Sequence, residues 1–257
     1  PMMVILGISS GLIMLQPDIS AAATVILIGG IMFFLGGGET RQVILVIVIA
    51  IIIGLIIVFL VPTGKQRIGE FISGIQDPSN ASYHVKRSIE AIVRGGTFGV
   101  GIGRATTKFT GLPVAPTDSI YAVIVEETGI IGASIIVILY LLFLWRGLII
   151  ANNATDFLGK LMAAGVTTWI FIEAMINMSV MVNLLPFAGN ALPFISAGGS
   201  NMTTVLTGVG LIMSVAHATA IEKSKEEGRP IDEVVDLCRN DGWRNVSRSR
   251  SSTRTRR

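Results

Sequence analysis

Apolar residues along this chain fall in long blocks separated by polar stretches. A helix needs roughly 20 residues to cross about 30 Å of hydrocarbon. By that measure six blocks are candidate spans, near residues 2–15, 21–35, 43–61, 120–145, 161–182 and 203–220. Val43 to Val61 carries no charge and is β-branched almost throughout. That composition suits a strand in water, but in lipid the backbone needs internal partners, so a helix is expected. The block at 21–35 is short and ends in Gly36, Gly37 and Gly38; the opening block looks cut, and the start is read as a truncation. The pattern predicts an all-α polytopic transmembrane helix bundle over residues 1–220 and a separate tail over 221–257.

The longest polar interval, 62–117, carries Lys65, Arg67, Glu70, Asp77, Lys86, Arg87, Glu90, Arg94, Arg104 and Lys108. Within it Val85, Ile89, Ile92 and Val93 alternate with charges as an amphipathic surface helix does. A glycine-rich stretch, Gly95 to Gly103, follows and is expected to be a flexible connection. Arg41, Arg146, Lys160 and ten basic residues after Ala220 share one side. The positive-inside rule makes that side cytoplasmic and puts the loop 62–117 outside. The last residues, rich in Arg and Ser, read as a disordered solvated tail touching anionic lipid, in preference to a nucleic-acid-binding segment.

Composition agrees with the pattern. Of 257 residues 51% are hydrophobic and 14% charged, and mean hydropathy is +0.70, far above a soluble domain. One cysteine, Cys238, excludes a disulfide framework, and two histidines, His84 and His217, are too few for a His-based metal centre. The chain lacks GxxxxGK[ST], HExxH and GxSxG, so nothing supports ATP-driven transport.

Asp118 stands where the polar interval becomes the fourth span. Two readings are open: an N-cap, worth about 0.3–1 kcal/mol at a helix dipole, or a partly desolvated base taking a proton from a sugar hydroxyl. Glu126 and Glu127 lie about 12–14 Å deeper by helical rise. A central acidic residue costs roughly 3 kcal/mol there, so the pair is expected to face a polar interior. Glu173 and Asn177 share a helix face at i,i+4 spacing; substrate contact and an interhelical hydrogen bond are both open. Leu192 to Asn201 reads LPFISAGGSN, in which Gly198, Gly199 and Ser200 suit either an anion-binding turn or close helix packing.

These segments together resemble the SEDS family, the FtsW, RodA and SpoVE proteins. The string GGTFGVGIGRATTKFTGLPVAPTDSIYAVIVEETGIIGA is similar to that family's loop-to-helix signature, and LPFISAGGSN to its LPFISYGGSS. Gln16, Pro17 and Asp18 resemble its QPDLGT element, and Trp169 and Asn177 fall at matching places. The resemblance runs to about Ala220 and implies the C-terminal part of a ten-helix bundle, with four helices and the RW and QPSE motifs lying upstream. It implies a peptidoglycan glycosyltransferase that polymerises lipid II and releases undecaprenyl diphosphate in the bacterial plasma membrane, beside a class B penicillin-binding protein of the division or elongation machinery. The family's essential aspartate maps onto Asp118. The basic extension leans toward the FtsW branch.

The chain departs from the family pattern at several positions. Val114 and Pro116 replace the glutamate and histidine of PEAHTD, Ser20 replaces a glycine and Ala197 a tyrosine. Glu173, His84 and Arg87 stand where glutamines are common. Under the implied chemistry, Asp118 is the base. Arg67, Lys86, Arg87, Arg104 and Lys108 are candidates to balance the leaving pyrophosphate, with a divalent cation, Mg or Mn, as an allowed companion. Glu126, Glu127, Asn177, Ser196, Gly198, Gly199 and Ser200 complete the expected substrate-binding set. Two rivals are a lipid II flippase, suggested by Glu126, Glu127 and Glu173, and an inactive scaffold, suggested by the altered neighbours of Asp118.

Overall fold

The computed structural model describes residues 2–14, 19–42, 44, 45, 47–49, 52, 54, 62–109, 111, 112 and 115–226. Helix α1 covers Met2–Met14, α2 Ile19–Leu35, α3 Pro62–Gln76, α4 Tyr83–Gly95, α5 Ile120–Asn153, α6 Phe157–Met181 and α7 Gly199–Glu226, with a 3₁₀ turn at Pro78–Asn80. Most of the span expected at 43–61, the Gln16-Pro17-Asp18 element and the tail beyond 226 lie outside the described residues.

Among the described residues α5, α6 and α7 are long and apolar enough to cross a membrane. All three outrun the limits that hydropathy suggests. Helix α5 continues past Trp145 to Asn153, α6 starts before Leu161, and α7 passes Ala220, because a helix keeps its hydrogen bonds wherever its ends leave the apolar layer. The tail expected from residue 221 therefore begins with helix. The interval 62–117 holds two helices where the sequence pattern predicts one. The additional helix, α3, starts on Pro62, whose missing N–H costs nothing at a first helical position.

Helix α5 packs on α6, α6 on α7 and on α2, and α2 on α1, while α4 lies across α5 and α6. The central core joins Tyr121, Val125, Ala133 and Tyr140 of α5 to Ala174, Met178 and Met181 of α6 and to Ala188 and Leu192 of the following loop. Small residues permit the close approach. A Cβ on Gly147 would overlap the Thr167 side chain, and one on Gly165 would overlap Met32.

Helix α5 is broken at Gly129, where φ is 71° and ψ is −171°. The break releases backbone groups that an unbroken helix would pair, and the glycine-rich stretch takes them. Val100 N donates to Glu126 O at 2.9 Å and Gly101 N to Glu127 O at 3.0 Å, while Ile130 N donates to Gly96 O at 3.0 Å. Irregular backbone is tolerated at such depth when protein satisfies it in this way. A Cβ on Gly95, Gly99 or Gly129 would enter the opposing main chain. Gly95 to Gly103 is therefore a docked segment and not the flexible connection expected; its glycines serve close backbone approach.

Candidate functional site

Asp118 lies in a turn that ends at Ser119, the residue flanking α5. The cap position belongs to Ser119, which makes no side-chain capping bond. The half-buried Asp118 carboxylate is thus not the cap of α5, and that reading is set aside.

Three consecutive main-chain carbonyls hold this turn. Pro116 O accepts from Ala197 N at 2.9 Å, Thr117 O from Ser196 Oγ at 2.7 Å, and Asp118 O from Asn177 Nδ2 at 2.8 Å. The same Asn177 amide donates to Asn190 O at 2.5 Å, and Ser196 Oγ accepts from Leu192 N at 2.7 Å. Tyr140 Oη closes the arrangement by donating to Pro193 O. Asn177 and Ser196 are both buried. The Asn177 side-chain nitrogen and the Ser196 hydroxyl therefore tie the 184–197 loop to the Asp118 turn, in place of the substrate contact expected of them. Gly189 of that loop faces the carboxylate: a Cβ there would stand 3.2 Å from Asp118 Oδ2.

Asp118 opens onto a cavity of about 550 Å³ between α1, α2, α6 and the start of α7. One wall is polar, with Asp118, Glu173, Asn190 and Asn201 beside Trp169; the other is apolar, from Leu6, Val25, Ile28 and Met32. Glu173 Oε2 is sealed from solvent without a hydrogen-bond partner. Gly198 and Gly199 open α7, and Met202 N donates to Gly198 O at 2.9 Å. Gly199 and Ser200 are exposed, and the first turn they begin carries Asn201 to the cavity.

The two acidic residues of α5 have other tasks. Glu126 is 1% exposed and accepts from Thr106 N at 3.1 Å, Thr106 Oγ1 at 3.3 Å and Thr107 N at 3.3 Å. Glu127 pairs with Lys108 at 3.0 Å. Both fasten the 104–109 segment to α5, so neither they nor Lys108 enter the cavity, contrary to expectation. Arg87 pairs with Glu90 at 2.6 Å and lies 5.8 Å from the centroid of the Tyr83 ring, whose hydroxyl donates to Gly111 O at 3.0 Å. The side chains of Lys86 and Arg104 are exposed. Of the five expected cations, Arg67 comes to the loop beside Asp118, its guanidinium 5.9 Å from the centroid of the Phe187 ring.

His84 stacks on that same ring, with centroids 4.5 Å apart. Burial pushes its imidazole below the ordinary value, and the Asp118 charge acts in the opposite direction. Sequence reasoning left His84 out of the site. The buried face of α4 consists of Val85, Ser88, Ala91 and Gly95, and its small and polar members give a hydropathy pattern little to register. Asn190, Asn201 and Phe187 were missed as well, because they stand in irregular loops or at a helix start.

Among the described residues no group of three or more His, Cys, Asp and Glu could hold a metal ion. Asp118 and Glu173 share the cavity, and two carboxylates suit a magnesium-like ion held mainly by substrate oxygens.

A family model described as "Cell cycle protein", for the FtsW, RodA and SpoVE proteins, matches residues 1–221. Stage V sporulation protein E of Bacillus subtilis is 38% identical over 161 residues, covering 63% of this chain and 44% of that protein. A probable peptidoglycan glycosyltransferase FtsW of Coxiella burnetii is 32% identical over 220 residues, 84% of this chain and 59% of the relative. The chain thus spans about half the length of the curated relatives it matches. A solved chain from a study titled "Structural coordination of polymerization and crosslinking by a peptidoglycan synthase complex" shares the fold, with a TM-score of 0.67 at 21% identity over 85% of this chain and 61% of the other.

Proposed function

The chain belongs to the FtsW, RodA and SpoVE family of cell cycle proteins, and from that premise we propose that it is a peptidoglycan glycosyltransferase that polymerises lipid II, with Asp118 as the base. One observation carries the reading: Asp118 stands in a rigidly tied turn at a cavity with one polar and one apolar wall. Such a cavity suits a ligand with a sugar-diphosphate head and a hydrocarbon tail, the head against Asp118, Asn190 and Asn201 and the tail along α1 and α2.

In this reading the 4-hydroxyl of the acceptor sugar gives its proton to the Asp118 carboxylate while its oxygen bonds to the anomeric carbon of the donor. The bond from that carbon to the diphosphate breaks, and undecaprenyl diphosphate leaves with the electron pair. Arg67 and the N-terminus of α7 at Gly198, Gly199 and Ser200 supply positive potential for the leaving group. Asp118 and Glu173 are the residues that would hold a Mg or Mn ion, which would offset diphosphate charge. The three carbonyl bonds on the Asp118 turn keep the base in place without reorganisation at the moment of attack.

The reading places the protein in a bacterial plasma membrane, residues 62–117 outside and the C-terminus in the cytoplasm, with a class B penicillin-binding protein as partner. The test is reconstitution of the full gene product in vesicles with fluorescent lipid II. Glycan polymer supports the reading. Headgroup translocation without polymer supports the flippase alternative, and neither activity, in a protein still required by cells, supports the scaffold.

A further inference from the structure

Exposure along α5 marks the level at which its lipid-facing surface begins. Every residue from Ile120 to Gly129 is buried or half-buried, whereas Ile130, Ile131, Ile135, Ile138, Trp145 and Leu148 are exposed. From Ile130 to Leu148 the helix rises about 27 Å, close to the roughly 30 Å of hydrocarbon that a span must cross. The turns before Ile130 are covered by the segment that follows α4. Gly96 O accepts from Ile130 N at 3.0 Å and Thr97 O from Ile131 N at 3.4 Å, while Val100 N and Gly101 N donate to Glu126 O and Glu127 O. Residues 96–101 are therefore fastened to α5 within about 6 Å of Ile130 along the helix.

The outward side of this segment is apolar. Phe98 is 81% exposed, Ile102 86% and Phe109 81%. Phe109 is held near the same level, because its neighbour Lys108 pairs with Glu127 at 3.0 Å. Large apolar groups left open together mark a surface that meets something other than water. The charge is one-sided as well: from Val93 to Phe109 the chain carries Arg94, Arg104 and Lys108 and no acidic residue. Arg94 and Arg104 are exposed, Arg94 donating to Thr106 Oγ1 at 3.0 Å.

We propose that residues 94–109 are a membrane anchor, in which Phe98, Ile102 and Phe109 enter the acyl-chain boundary of the adjoining leaflet and Arg94 and Arg104 hold anionic lipid headgroups. Apolar side chains flanked by cations are what an interfacial segment presents to such a surface. The docked backbone suits that place, since its amides find partners on α4 and α5: Gly99 N donates to Gly95 O at 2.7 Å, beside the bonds to Glu126 and Glu127. Where α5 is covered, the segment thus continues the lipid-facing surface that opens at Ile130. The anchor is independent of the polymerase reading.

The test uses the full gene product with its native cysteines replaced by serine, carrying a bimane label on Phe98→Cys, Ile102→Cys or Phe109→Cys. These three side chains are exposed, so replacing them disturbs no packing; Ser79→Cys, on the exposed 3₁₀ turn, serves as the control. In phosphatidylcholine vesicles with spin-labelled acyl chains, the three labels are expected to lose at least about half of their fluorescence and to resist iodide in water, with the reverse at Ser79→Cys. Quenching by iodide at any of the three overturns the anchor, and so does quenching by neither agent, which would mean that protein covers the segment. For the headgroup contact, spin-labelled phosphatidylglycerol at the same mole fraction should quench the Ile102→Cys label roughly twofold more than spin-labelled phosphatidylcholine, and the preference should vanish in Arg94→Gln/Arg104→Gln. Equal quenching by the two lipids overturns the part given to the arginines.

Discussion

The side-chain amide of Asn177 donates to the main-chain oxygens of both Asp118 and Asn190, at 2.8 and 2.5 Å. One buried residue of α6 therefore joins the turn that carries the candidate base to the loop that faces it. Asn177→Ala removes both bonds and leaves two carbonyls without their partner. We expect a stability loss of about 1–3 kcal/mol and a fall in polymerisation kcat of roughly a hundredfold from misplacement of Asp118. Thermal melting in detergent and rates at saturating lipid II check this; wild-type values for both would contradict it.

Gly189 sits against the carboxylate, where an added methyl would come within 3.2 Å of Asp118 Oδ2. The contact is tight, but the side chain can give a little. Gly189→Ala should therefore leave the melting temperature close to wild type and lower kcat roughly tenfold. Steady-state kinetics beside a melt distinguishes this from general destabilisation.

The break in α5 gives a contrast between glycines. At Gly129, φ is 71° and a Cβ would enter the main chain of Thr97 and Gly99. Gly129→Ala should cost about 1–3 kcal/mol from backbone strain alone, with the steric overlap added. Gly210 is helical with open space at its Cβ position. Gly210→Ala should be neutral or stabilising by up to about 1 kcal/mol. Melting of the two variants side by side checks the assignment, and equal effects would contradict it.

Burial holds the His84 imidazole below its ordinary value of 6.5. As pH falls through 6.5 the unfolded chain binds the proton first, so stability that is present above 6.5 is lost toward the lower folded-state value. Asp118 opposes this shift, so Asp118→Asn should deepen the loss, whereas His84→Gln should flatten it. Apparent melting temperatures at pH 5 and pH 7.5 for the three proteins read the difference directly.

Much of this architecture is legible in the residues. Hydropathy suffices for α5, α6 and α7, because a charge-poor run of that length must form a helix in lipid. Asp118, Asn177 and Ser196 stand out as polar residues at the edges of or within apolar blocks. Their division of labour does not stand out: that Asn177 and Ser196 bind main chain depends on how the 184–197 loop folds back. Glu126 is recognisable as an expensive residue. Its partners, the Thr106 and Thr107 amides, come from a segment whose path depends on the break at Gly129, and one glycine in an apolar run carries no mark of such a break. His84 escapes notice because Ser88 and Ala91 give its helix face little hydrophobic signal. The family resemblance identifies Asp118, and the geometry adds what holds it there.

The central claim is that the Asp118 carboxylate is the base. Its most direct test is the rate of lipid II polymerisation by the full gene product carrying Asp118→Asn, which keeps the side-chain shape and removes the proton acceptor. The account predicts a loss of at least about a hundredfold in kcat with lipid II binding retained. Polymerisation within twofold of wild type would contradict it.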